Sequence, residues 1–297
     1  MMSELSFIEA IKSKQPAMAS GLIGIGDDAA LIEGGTAGWV IATDMLMEGR
    51  HFDTELHNLT DIGHKALAVN LSDLAAMGAT AKYALVSLAV PEGFGMDNLD
   101  KIWTGLQRLA DSFDITIIGG DTNSWQYGLV INVCVLGLPP ASGVITRSGA
   151  KPGDELFVTD ELGASMDQDR HLRFQPRLRE AQQILDIASP HAMIDISDGL
   201  ATDLSHICKA SGVGASLEAN RIPISSQIPI SLADNIRLKR AMTDGEDFEL
   251  LFAMPPGKGE FLKALPFRCH RIGMITKGNE VLLDGKPLTE MGFEHRF

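Results

Sequence analysis

Aspartates recur in this sequence where a folded chain has most difficulty accommodating them, at the ends of apolar runs and beside small residues. Gly24-Ile25-Gly26-Asp27-Asp28-Ala29-Ala30 sets two adjacent carboxylates on a glycine-bracketed turn. Thr43-Asp44 closes a β-rich run that starts at Trp39. Asn70 and Asp73 lie three apart in a helical pattern and so share a face, and Asp73 sits among Leu71, Leu74 and Ala75. Gly119-Gly120-Asp121-Thr122 follows another strand. Asp195-Ile196-Ser197-Asp198-Gly199 falls where a strand turns into a helix, and Gly245-Glu246-Asp247 directly precedes a strand at Phe248. Each motif alone also reads as a turn or a helix cap. Their repetition is what constrains the chain, because carboxylates pressed against apolar segments are costly unless a cation shares the space. Hard divalent cations with oxygen ligands meet that cost, and Mg²⁺ is the usual choice where phosphates complete the coordination sphere.

The segments around these motifs alternate between strand and helix patterns. Strands are expected at Trp39–Ala42, Ala84–Val90, Ile115–Ile118 and Leu129–Leu138, and helices at Asp61–Met77 and Leu99–Phe113. In the first helix, Ile62, Ala66, Val69, Leu74 and Met77 follow the 3.6 period, with Thr60 or Asp61 to cap it and Gly78 to stop it. Pro139, Pro140, Ser142 and Gly143, then Ser148 to Gly153, are turn chemistry and mark a boundary near 138–150. Beyond it, strands are expected at Glu155–Thr159, Met193–Ile196, Phe248–Met254 and Arg271–Ile275, with a hairpin near Val281–Lys286. Helices are expected at Pro176–Ala188 and Gly199–Ala210. The fold class is therefore α/β (α+β), with two mixed domains at 1–138 and 139–297. A chain of 297 residues can hold both.

A net charge of −14 argues against a nucleic-acid partner and against docking on an anionic membrane. A phosphorylated small substrate stays compatible with it if cations screen the carboxylates. Cys134, Cys208 and Cys269 are odd in number and lack a C-x-x-C pair, which speaks against a disulfide framework or zinc knuckle. Met1–Gln15 lacks a signal-type apolar stretch, and no run is long enough to span a bilayer. These features lead us to expect a cytoplasmic protein. A Walker A sequence, the H-R-D and D-F-G set, H-E-x-x-H and G-x-S-x-G are all absent, and Gly24-x-Gly26 lacks the third glycine of a dinucleotide fingerprint. His51, His57 and His64 are spaced poorly for a helical metal pair. Arg147, in Thr146-Arg147-Ser148-Gly149, is either a solvated loop residue or a bidentate phosphate contact.

Taken together, the motifs resemble the thiamine-monophosphate kinase family, within the superfamily of aminoimidazole ribonucleotide synthetase and selenophosphate synthetase. The matching stretches are GIGDDAALI (24–32), ATDMLMEGRHFD (42–53), HKALAVNLSDLAAMGA (64–79), IIGGDT (117–122), TRSGAKPGDELFVT (146–159), IDISDGLATDLSHI (194–207) and GEDFELLF (245–252). The resemblance implies a homodimer of two-domain α/β chains that moves the γ-phosphoryl group of ATP onto thiamine monophosphate. It implies that Asp27, Asp28, Asp44, Asp73, Asp121, Asp195 and Asp198 serve Mg²⁺ ions, with Thr43 helping through its carbonyl or hydroxyl. Gly120, Asp121, Arg147 and Ser197 match nucleotide contacts, and His51 and Glu246 match positions facing the thiamine phosphate. Among these, Asp27, Asp73, Asp121, Asp198 and Arg147 are the candidate catalytic residues. Selenophosphate synthetases would call for a reactive residue near the N-terminus, whereas the first Cys here is Cys134. The related hydrogenase-maturation protein ends in Cys, whereas this chain ends in Phe297.

Four places depart from the family pattern, one being Phe113, which stands where Tyr is common. Asn123-Ser124-Trp125 follows GGDT where a basic residue is common. Gly163-Ala164-Ser165-Met166-Asp167 stands in place of a G-D-S-x-x-G-L loop, with a short segment to Pro176. The C-terminal aromatic residue that covers thiamine in the family is expected to be replaced around Thr289–Met291. Two further readings therefore stand beside the kinase: an ATP-dependent enzyme of the superfamily with another acceptor, and a degenerate nucleotide-binding homologue without activity.

Overall fold

A computed structural model describes residues 23, 27–32, 38–289 and 291–293. Gly24 and Gly26, Met1–Gln15 and Phe297 lie outside the described residues. Strands β1 (Ala30–Ile32), β2 (Trp39–Met47), β3 (Thr80–Pro91), β4 (Thr116–Trp125) and β5 (Val130–Leu138) form one sheet in the order β1-β2-β5-β3-β4. Helix α1 (Leu59–Ala76) leads from β2 to β3, and α2 (Met96–Ser112) from β3 to β4. The latter crossover makes β3 and β4 parallel, while the other neighbours are antiparallel. The second sheet holds β6 (Glu155–Thr159), β7 (Ala192–Asp195), β8 (Gly214–Leu217), β9 (Leu250–Met254), β10 (Cys269–Thr276), β11 (Val281–Leu283) and β12 (Lys286–Pro287), ordered β12-β11-β8-β10-β6-β9-β7. Between its strands run helices α3 (Arg170–Arg173), α4 (Leu178–Ile187), α5 (Leu200–Ser211), α6 (Asp234–Thr243) and α7 (Gly259–Leu262).

Helix α1 joins the two halves. Its N-cap is Asn58, two or three residues earlier than the sequence suggests; the Asn58 side chain accepts from Thr60 N at 2.8 Å. Gly78, at φ 67°, supplies the left-handed residue that ends the helix. The sequence pattern marks one apolar face, yet Leu67, Ala68, Leu71 and Ala75 are buried as well. A helix buried all round needs cover on both sides. Here α2, β2 and β5 pack against it from the first half, and α3, α4 and β7 from the second. The core around α1 accordingly runs on into Phe174, Ile184, Met193, Phe248 and Phe252 of the second half. Leu156 and Val158 alternate with Phe157 along β6 and enter a separate core with Ile194, Leu204 and Ile272. Two glycines set the approach of α1 to α2. A Cβ on Gly63 would stand 2.0 Å from the Ile102 carbonyl oxygen, and one on Gly105 would stand 1.9 Å from that of Thr60.

Two strands run past the aspartates expected to close them. β2 continues through Asp44 to Met47, and β4 through Asp121 to Trp125. Strand alternation then decides which way each side chain faces. Asp44 follows buried Val40 and Ala42 onto the α1 face, whereas Thr43 and Met45 are exposed on the outer face. Asp121 pairs with Ser87, Ser87 with Asn132, and Asn132 with Met45, one row of that outer face. β4 extends beyond its sequence signal because Gly119 to Ser124 form an exposed edge strand with no apolar side chain to advertise it. Helix α6 and strand β8 were also not anticipated. The first is polar, burying only Ala241 and Met242, and the second is four residues long.

Candidate active site

The carboxylates gather where β2, α1, β7 and the segment at Asp27-Asp28 meet. The Asp44 backbone N donates to Asn70 Oδ1 at 2.8 Å, tying β2 to α1 nearly one turn before Asp73. Asp195, the last residue of β7, is buried and accepts from Ser72 Oγ at 2.5 Å. Adjacent residues of α1 thus divide the work: Ser72 orients Asp195 while Asp73 stands beside it, partly open to solvent. Carboxylate oxygens of Asp28, Asp73 and Asp195 all lie within 4.8 Å of one another. The Asp28 side chain is 1% exposed and receives Arg147 Nη2 on Oδ1 at 2.7 Å. The Arg147 backbone N donates to Asp27 Oδ1 at 2.7 Å, so Arg147 holds both members of the pair.

The electrostatics show a surplus of negative charge. Burial pushes the Asp73 carboxyl well above the usual carboxylate range, and the neighbouring Asp44, Asp195 and Asp28 push the same way against Arg147. Asp195 is pushed up to about 7, by burial first and then Asp28, with Ser72 and Arg147 opposing. Burial opposes the charge on Arg147, but Asp28 outweighs it and raises the guanidinium further above its ordinary value. Asp28 Oδ2 is buried with no hydrogen-bond partner. An orphaned carboxylate oxygen beside two convergent carboxylates is the all-oxygen donor set that a hard divalent cation takes, and these residues fit Mg²⁺.

A second acidic group adjoins the first. Ligand atoms of Asp198, Asp203 and His206 lie within 4.8 Å of one another. The helix cap considered for Asp198 is not made: Gly199 is the N-cap of α5, without a side-chain bond. Asp203 replaces it from inside the helix, its Oδ2 accepting from Asp198 N and Gly199 N at 3.1 Å each. Burial, then Asp198 and Asp195, raise the Asp203 carboxyl well above its ordinary value.

The loop at Gly245-Glu246-Asp247 packs on this turn. Glu246 N donates to Ser197 O at 2.7 Å, and Phe248 N to Ile196 O at 2.8 Å. These bonds hold Glu246 at φ 57° and Phe248 at φ 51°, conformations uncommon outside glycine. Asp247 turns inward and accepts from Gly163 N at 2.9 Å, from Ser165 Oγ, and from Arg170 Nη2 at 2.6 Å. The altered Gly163–Asp167 loop is therefore fastened to the Glu246 turn. Burial raises the Asp247 carboxyl to about 6, with Ser165 and Arg170 opposing.

His51 and Glu246, far apart in sequence, meet through a third residue. Lys65 Nζ donates to His51 O at 3.1 Å and pairs with Glu246 Oε2. Just past Thr289–Met291 stands the aromatic residue Phe293. Phe293 N donates to Asp198 O at 2.9 Å, and the Arg50 guanidinium lies 4.3 Å from the Phe293 ring centre.

Not every candidate joins this group. Thr43 Oγ1 donates to Val133 O at 3.0 Å on the outer face, and exposed Asp121 accepts from Asn123 Nδ2 at 2.8 Å. Gly120 pairs with Val86 on β3. Sequence reasoning assigned no role to Lys65, Ser72, Asp203 or Phe293. A lysine inside the apolar run from Ile62 to Met77, and an aspartate four residues after Gly199, were the available signals.

Two AIR synthase related families cover most of the chain, the N-terminal domain family matching residues 26–138 and the C-terminal domain family matching 151–285. The two sheets with their interposed acidic site are thus those of an AIR synthase related protein. The chain is 37% identical to thiamine-monophosphate kinase of Rhodopirellula baltica, across 88% of this chain and 85% of that protein. It is 34% identical to the enzyme of the same name from Bacillus subtilis, across 99% of both. A solved structure of AaThiL complexed with AMPPCP and TMP superimposes with a TM-score of 0.87 at 28% identity, covering 99% of this chain and 97% of that one. The chain belongs to the thiamine-monophosphate kinase family.

Proposed function

We propose that this protein is a cytoplasmic, ATP-dependent kinase that converts thiamine monophosphate to thiamine diphosphate. The observation that carries the reading is the convergence of Asp28, Asp73 and Asp195 within 4.8 Å, beside Arg147, at the junction of both halves in a member of this family. The acceptor phosphate supplies the nucleophile. Its second pKa is about 6, so an oxygen is already ionised near neutrality and no general base is needed. That oxygen attacks the γ-phosphorus in line; the bond to the β-phosphate oxygen breaks and ADP leaves.

Asp27, Asp28, Asp44, Asp73, Asp195 and Asp198 are the residues that would hold Mg²⁺ at the junction, with 1–138 supplying most of them and 139–297 completing the site; Thr43 and Asp121, whose side chains are on the outer face of the first sheet, would serve Mg²⁺ from that face. Bound Mg²⁺ neutralises and aligns the phosphates. Gly120, Asp121, Arg147 and Ser197 form the nucleotide side of the reading, where Asp28 keeps Arg147 aimed. His51 and Glu246 form the acceptor side. In this reading Thr43 contributes its carbonyl, since its hydroxyl is engaged with β5. A homodimer also belongs to the proposal: Met45, Met47, Tyr83, Leu85 and Ile118 are exposed on the first sheet beside its open edge strand. Three unpaired thiols suit a reducing compartment. Purified protein with ATP, Mg²⁺ and thiamine monophosphate should yield thiamine diphosphate by chromatography, and far less product from unphosphorylated thiamine. Absence of thiamine diphosphate would overturn the reading.

A further inference from the structure

Lys65 lies in the middle of α1 with 0% of its surface exposed. A long cationic side chain ordinarily extends its head to water, and this one does not. Burial lowers its pKa, and Glu246 is the carboxylate that opposes the effect. A buried charge persists only where specific partners compensate it, so the identity of those partners is informative. They are the His51 carbonyl and Glu246 Oε2, and Glu246 lies 181 residues along the chain in the other half. Lys65 therefore joins the two positions assigned to the acceptor. It takes no carboxylate from the acidic cluster, although Asp73 is on the same helix, eight residues or about 12 Å further along its axis.

Glu246 needs such a strut. It sits at φ 57° on a turn held by backbone bonds to Ser197 and Ile196, and its side chain is 26% exposed. Oε2 is committed to Lys65, which leaves the carboxylate its other oxygen for the acceptor. The His51 carbonyl belongs to the loop after β2, a segment of the first half, so the relative position of His51 and Glu246 depends on how the halves meet. Lys65, on the helix buried between them, is placed to fix that distance.

We propose that Lys65 is a positioning residue of the acceptor site, its buried ammonium holding the Glu246 carboxylate and the His51 loop in register across the junction of the two halves. The inference rests on the kinase reading above. Lys65→Met keeps the packed stem and removes the charge. Steady-state kinetics should show its KM for thiamine monophosphate raised at least about tenfold, with the KM for ATP within about twofold of the wild type. In a Glu246→Gln background the same change should add less than about twofold, because Lys65 acts through Glu246. Lys65→Gln, which keeps a donor for the His51 carbonyl, is measured alongside and should show the same acceptor-specific loss. If the wild type makes no thiamine diphosphate, the kinase reading itself fails. If the wild type is active, an unchanged acceptor KM, equal losses for both substrates, or multiplying effects in the double variant overturns the role of Lys65. Failure of both single variants to fold also overturns it, since Lys65 is then an element of the fold alone.

Discussion

Replacing Asp73 by Asn should abolish turnover and yet make the metal-free protein harder to melt at alkaline pH. Its oxygens lie within 4.8 Å of those of Asp28 and Asp195. With an effective dielectric of about 20, each ionised neighbour at that separation costs about 3.5 kcal/mol. Two effects reduce the sum. Arg147 offsets part of the repulsion, and the cluster retains protons, with Asp195 titrating at about 7. We therefore expect a net gain of roughly 1–3 kcal/mol at about pH 8, or roughly 2–5 °C for a chain of this size. The sign follows from linkage. A carboxyl whose pKa is raised by folding binds a proton that the unfolded chain releases, so wild-type stability falls as pH rises above about 4. The Asn variant lacks that loss at position 73, and its advantage should fade as pH is lowered to about 4. Thermal melts in EDTA across this range test the expectation, and melts with excess Mg²⁺ extend it. The wild type should gain more from the metal than the variant does. If Asp73→Asn melts below the wild type in EDTA at about pH 8, or gains equally from Mg²⁺, the assignment of Asp73 to a cation site is wrong.

Arg147→Ala should weaken the ATP contact by roughly 1.5–3 kcal/mol in kinetics and, without metal, destabilise the fold by about 3–5 kcal/mol by stranding buried Asp28; unchanged ATP kinetics would return Arg147 to an ordinary structural role. Gly63→Ala places a methyl group against the Ile102 carbonyl and should cost about 1–3 kcal/mol or more in urea titrations. A loss below about 0.5 kcal/mol would show that α1 and α2 can move apart freely. Asp203→Ala removes the acceptor of two backbone N–H groups and should cost about 1–3 kcal/mol, while Asp203→Asn keeps an oxygen there and should lose less. Equal stability of all three proteins would refute the bracing role of Asp203.

The sequence made the order of the core elements legible, because Trp39, Ala84 and Glu155 open runs whose apolar periodicity is strong. It also marked the carboxylates, since aspartates beside Leu71, Leu74 or Ile196 contradict their surroundings. What it could not convey was direction. Whether Asp44 and Asp121 face the same way depends on where their strands end, and both strands continue past them in polar or glycine-rich residues that carry no pattern. Partners distant in sequence were hidden for a different reason. Nothing local to Lys65 indicates Glu246, and Asp203 reads as an ordinary helical position until the turn it braces is seen. Helix α6 escaped because its two buried residues leave little amphipathic signal.

The burial of α1 on both sides has a consequence for synthesis. Among the described residues β1 and β2 are made before the helix leaves the ribosome, and the first half can cover one side of it by Leu138. Its other side waits for α3, α4 and β7, whose last residue is Asp195, roughly 120 residues after the helix ends. At about 5–20 residues per second that is an interval of roughly 6–24 s during which the face of α1 that carries Ser72 lacks its final cover. Residues 1–138 expressed alone would remain in that condition permanently. The fragment should bind hydrophobic dye and associate, and its α1 amides should exchange quickly, whereas in the whole chain they should be among the slowest.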